Sequence, residues 1–202
     1  MANYGFYVIL KTMNINIKKD WQENIKILLA IVVLMWVIEL ISSLFGQPLN
    51  RFGIRPRSIA GLSGIIFAPI LHGSISHLAS NTIPFLVLGF FVMLKGLPQY
   101  IKTTAIIWII GGLGTWLFGG PNTVHLGASI IIFGYLGYLL ASAYFERSLS
   151  TLLVAIVVGV LYGTMIFGVL PITKGVSWQG HLFGLLGGVL SAQLASKNRE
   201  AF

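Results

Sequence analysis

Ser129 and His181 are the two side chains of this chain whose chemistry, taken together, amounts to a reaction. A serine hydroxyl becomes a useful nucleophile only when a neighbouring base takes its proton. An imidazole can be that base, and can later hand the proton to a leaving amine. No aspartate stands ready as a third member, so the arrangement would be a serine–histidine dyad. Phe133, one helical turn beyond Ser129, is placed to pack on the imidazole and orient it. His77 and Asn81 are four apart and share one helical face. They are candidate donors to the oxyanion that forms when a carbonyl is attacked. Ser129 also follows Gly127-Ala128 at a helix start, where unpaired N–H groups and the positive dipole end are expected.

Each of these residues has a plainer reading when taken singly. A serine in an apolar helix commonly bonds back to a carbonyl of its own helix, and a histidine at a helix start can be interfacial. His77 and Asn81 could be an ordinary interhelical hydrogen-bonding pair. The joint reading comes from where the surrounding elements put them.

Those elements are apolar runs of roughly 20 residues, the length a helix needs to cross a bilayer. Six are expected: Ile25–Leu44, His77–Leu94, Ile101–Phe118, Ser129–Phe145, Leu152–Leu170 and His181–Ala195. Residues 1–24 read as a cytoplasmic amphipathic lead-in, 25–196 as one membrane domain, and 197–202 as a short cytoplasmic tail. Between the first two spans lies a long connection with Pro48, Pro56 and Pro69, three arginines, and an apolar piece, Ile59–Leu71, too short to span. It reads as a partly membrane-embedded first external loop, since irregular backbone at that depth must be buried in protein or face water. Nine Lys or Arg fall on one side: Lys11, Lys18, Lys19, Lys26, Lys95, Lys102, Arg147, Lys197 and Arg199. Four fall on the other: Arg51, Arg55, Arg57 and Lys174. The positive-inside rule then puts both termini in the cytoplasm. In this topology His77, Ser129 and His181 all begin spans on the outer side, so three distant segments converge at one depth. Small residues at Gly184 and Gly188, and at Gly137 and Ala141, would let the fourth and sixth spans approach closely. Glu39, the one acid inside a span, is expected to pair with an arginine of the first loop.

Composition sets the frame. Hydrophobic residues make up 56% and charged residues 9%, against about 25% charged in soluble domains. Such a chain is an all-α polytopic membrane protein. With no cysteine, disulfides, thiolate metal sites and cysteine nucleophiles are excluded. No His-Glu-x-x-His or similar cluster suggests a metal, and no cofactor is expected. The formal charge of +8 flanks apolar runs and so points to lipid and orientation, not nucleic acid. Neither internal repeats nor a second buried acid favours a transporter.

Taken in order, the motifs resemble those of the rhomboid family of intramembrane serine proteases. His72-Gly-Ser-Ile-Ser-His77-Leu-Ala-Ser-Asn81 is similar to its H-x4-H-x3-N element, and Gly127-Ala128-Ser129 to its G-x-S motif. Gly180-His181-Leu-Phe-Gly184-Leu-Leu-Gly-Gly188 is similar to its sixth-helix signature, and Gly61 through His72 resembles its first loop. The resemblance runs from Arg51 to Gly188. It implies a six-span bundle with Ser129 as nucleophile, His181 as base, and His77 and Asn81 at the oxyanion. It further implies substrates that are single-span membrane proteins, entering past the fifth span and cut near the outer leaflet, in a chain of the bacterial cytoplasmic membrane. The chain departs from the family in having Ile130 after the serine and no Trp-Arg pair in the first loop. A β-branched neighbour of the nucleophile is expected to reshape the oxyanion pocket. It is the basis of an alternative reading, an inactive relative that holds membrane clients.

Overall fold

The structure, a computed structural model, describes residues 17–173 and 175–200, with side chains between 21 and 197. The expected amphipathic lead-in therefore falls largely outside the described residues, as do Lys11 and Lys174. Seven α-helices make up the described fold: α1 (Ile17–Leu44), α2 (Gly64–Phe67), α3 (Ile75–Met93), α4 (Leu97–Phe118), α5 (Ser129–Glu146), α6 (Leu149–Tyr162) and α7 (Trp178–Glu200). Short 3-10 turns flank α2, and another, Gly163–Val169, continues α6.

Among the described residues, five segments are long and apolar enough to cross a membrane: Trp21–Leu44, Ile75–Met93, Leu97–Phe118, Ser129–Glu146 and Leu149–Val169. The chain is an integral membrane protein. Its outward surface carries large apolar side chains such as Leu44, Leu149, Val160 and Ile172, a surface that suits lipid. The sixth expected span lies inside α7, which has the length but is not among the five. Helix α7 makes its largest contacts with α5 and α4, and on that side it carries Gln179, His181 and Ser191 buried, polar groups that lower its hydropathy. Ser191 is hydrogen-bonded to Thr103 of α4 at 2.9 Å. Leu186, Leu190 and Leu194 form an exposed apolar stripe along the same helix.

Helix α5 is the centre of the bundle. Every residue from Ser129 to Leu139 is buried, which explains why this helix is apolar on all sides. Its contact with α7 is the most extensive in the described fold, and glycines make it possible. A Cβ at Gly184 or Gly188 would run into the carbonyl of Ile130 or Gly134, and one at Gly137 into that of Leu185. The expected close approach of these two helices is what the structure has. Tyr135 packs on Tyr100 and bonds to Thr104 at 2.8 Å, tying α5 to α4 as well.

The long first loop is strapped to α4 by side chains. Trp108 Nε1 donates to the Ile65 carbonyl at 2.5 Å and Trp116 Nε1 to that of Ser58 at 2.9 Å. The Arg57 guanidinium caps the end of α4 by donating to the carbonyls of Leu117 and Gly119, both at 2.9 Å. Glu39 does not meet a loop arginine. Its Oε1 accepts from Ser43 at 3.1 Å and from Gln47 at 3.0 Å, both local to the end of α1. The carboxylate is only 1% exposed, and its buried Oε2 has no hydrogen-bond partner.

Candidate active site

A cavity of about 830 Å³ opens among the N-terminal ends of α3, α5 and α7, and Ser129, His181, His77, Asn81 and Phe133 all line it. Five residues flagged from three distant segments thus converge on one space. Ser129, Asn81 and His181 are each 8% exposed, so they reach the cavity without being displayed on the surface.

The imidazole of His181 is held from two directions. Its ring lies flat on Phe133, with centroids 3.9 Å apart and planes 7° from parallel. Its Nδ1 lies 2.9 Å from the Gly168 carbonyl. A carbonyl can only accept, so Nδ1 carries the proton and Nε2 keeps its lone pair. That is the tautomer a base needs. Gly168 itself sits tightly there, since a Cβ would lie 2.6 Å from the Phe133 ring and 3.3 Å from His181 Nδ1. Sequence reading pointed to Phe133 but missed Gly168, because a carbonyl acts irrespective of residue type. Ser129 and His181 share the cavity wall, and no hydrogen bond joins them. Such bonds are often long until substrate is bound.

On the opposite wall, helix α3 begins at Ile75 with Ser74 as its cap, the Ser74 hydroxyl accepting from the His77 N–H at 3.1 Å. His77 and Asn81 then stand one turn apart, aimed at Gly127. A Cβ on Gly127 would lie 2.9 Å from His77 Nε2 and 3.4 Å from Asn81 Nδ2. With its φ of +115°, the position is one that a side chain would strain in any case. The buried Asn81 Nδ2 has no protein partner.

The N–H groups of the two residues before Ser129 are engaged. The Gly127 N–H donates to the Ala68 carbonyl at 2.9 Å, and the Ala128 N–H to His72 Nε2 at 3.3 Å. They bind the Gly-Ala-Ser turn to the first loop. To accept, His72 Nε2 must be unprotonated, and burial, with help from nearby His77, pushes the His72 pKa down to about 3.

Ile130 does not face the cavity. Its side chain is 4% exposed and lies between Gly111 of α4 and Gly180 near the start of α7, its Cγ1 3.0 Å from where a Gly180 Cβ would be. The expected reshaping of the oxyanion pocket by this side chain therefore has no geometric basis. The fourth histidine, His125, was not singled out from sequence, yet it lines the same cavity.

Residues 60–198 match the family model described as Rhomboid domain. An uncharacterized protein of Mycobacterium tuberculosis is 46% identical over 185 residues, covering 87% of this chain and 77% of the relative. One from Mycobacterium leprae is 42% identical over 190 residues, covering 90% and 75%. A Bacillus subtilis protein named "Putative rhomboid protease YdcA" is 30% identical over 139 residues, covering 65% and 66%.

Proposed function

Because this chain belongs to the rhomboid family, we propose that it is an intramembrane serine endopeptidase working through a Ser129–His181 dyad. The observation that carries the reading is the imidazole of His181, clamped by Gly168 and Phe133 in the base-competent tautomer on the wall that Ser129 also lines. Ser129 Oγ attacks the scissile carbonyl carbon while its proton passes to His181 Nε2. The carbonyl oxygen becomes an oxyanion, met by the partnerless Asn81 amide and by His77. Collapse expels the amine, which takes the proton from His181. Water, deprotonated by the same imidazole, then hydrolyses the acyl-enzyme and restores the serine. Preorganised donors of this kind are usually the largest single contribution to such catalysis.

The substrates in this reading are single-span membrane proteins, cut near the outer leaflet. Helix α7 counts as the sixth span, both termini are cytoplasmic, and the membrane is the bacterial inner membrane. No nucleic acid, metal or cofactor takes part. Ser129→Ala is expected to abolish cleavage of a reporter carrying one membrane span while leaving expression unchanged. Purified protein should be labelled by a fluorophosphonate probe, and the Ser129→Ala variant should not. Cleavage surviving in that variant sinks the serine mechanism. Absence of labelling in the native chain favours the client-holding relative instead.

A further inference from the structure

His125 is a junction of three segments. Its backbone forms the isolated bridge to the first loop, with the Ile54 N–H donating to the His125 carbonyl at 3.0 Å and the His125 N–H to the Ile54 carbonyl at 2.9 Å. Its ring makes two short contacts, Nε2 to Thr123 Oγ1 at 2.7 Å and Nδ1 to Ser177 Oγ at 2.6 Å. The direction of both bonds follows from a third. The Thr123 hydroxyl donates its proton to the Gly120 carbonyl at 2.6 Å, so towards His125 it can only accept. Nε2 therefore carries the ring proton, and Nδ1 accepts from the Ser177 hydroxyl. The ring is neutral, in keeping with burial that lowers its pKa.

The register of this bond matters. His125 lies four residues before Ser129, and Ser177 four residues before His181. Ser177 immediately precedes α7, and its carbonyl accepts from the His181 N–H at 3.1 Å. One hydrogen bond thus joins the two strands of chain that deliver the nucleophile and the base.

Resting on the protease reading above, the geometry points to His125 as a positioning residue that, through Ser177, sets the approach of Ser129 to His181. It touches neither the reacting carbonyl nor the nucleophile. It fixes the separation of the turns carrying them, where a displacement of about 1 Å can cost roughly a hundredfold in rate.

The test is a double-mutant cycle on the full chain in detergent or vesicles, with cleavage kinetics on a single-span reporter. His125→Phe keeps the ring volume and loses both bonds, and Ser177→Ala loses one. Each is expected to lower kcat by about tenfold or more with KM unchanged, and the double variant to be no slower than the slower single one. His125→Gln, whose amide offers one donor and one acceptor, should recover most of the rate. Thermal unfolding of each variant checks that the folded fraction is intact. Full activity in His125→Phe, multiplicative losses in the double variant, or losses that follow the folded fraction would each overturn the positioning role. A native chain that neither cleaves nor takes the fluorophosphonate overturns the protease reading itself, and the positioning role with it.

Discussion

At the scale of single residues, the site depends on histidines that must stay neutral, and this gives the chain a pH signature. His72 titrates near 3 when folded, against 6.5 for the free side chain. Between those values the unfolded chain binds a proton that the folded chain refuses, so stability falls as pH drops from 6.5 towards 3. Above 6.5 the effect vanishes. The unfolding midpoint in detergent should thus decline on acidification, and less steeply in His72→Gln than in the native chain. Asn81→Ala should lower kcat by roughly a hundredfold, the usual effect of losing one oxyanion donor. An unchanged rate would remove Asn81 from that role. The sequence made Ser129, His181, His77, Asn81 and Phe133 legible because their types and helical spacing carry the chemistry. It hid Gly168, whose carbonyl is indistinguishable from any other, and it hid His125 and Ser177, which meet only after the chain has folded. Ile130 shows the converse: adjacency in sequence suggested a reshaped oxyanion pocket, while helical rotation turns its side chain towards Gly111 and Gly180.

At the scale of elements, the α5–α7 contact governs whether a site exists at all. The backbones touch because Gly184 and Gly188 present no side chain to the carbonyls of Ile130 and Gly134. Gly188→Val forces the helices apart and is expected to destabilise the fold by about 1–3 kcal/mol, the range for overpacking a dense core. Cleavage should fall with it, although residue 188 lies far along α7 from the cavity. Equal stability and rate in that variant would mean the helices can separate freely. Helices in lipid-facing positions were legible from hydropathy, with starts shifted by a few residues, as at Ile75 and Leu97. Helix α7 was read as an apolar run over His181–Ala195, although buried Gln179, His181 and Ser191 weaken its hydropathy signal. The first loop's folding was not legible, because it hangs on bonds from Trp108, Trp116 and Arg57 to main-chain carbonyls.

At the scale of the whole molecule, the two ends of the bundle are built differently. At the end away from the cavity, Lys95 and Glu146 form an ion pair at 2.6 Å, with the carboxylate side chain only 5% exposed. The proposed orientation puts this end in the cytoplasm, and the absence of native cysteine makes it directly checkable. Arg55→Cys should react with a membrane-impermeant maleimide added to intact cells, and Lys197→Cys should react only after lysis. The reverse pattern would invert the topology. The other end holds the cavity, and its size has a consequence of its own. About 830 Å³ is room for tens of water molecules, far more than one hydrolytic turnover consumes. Delivery of solvent should not limit the reaction, so turnover in heavy water ought to slow through the proton in flight between oxygen and nitrogen.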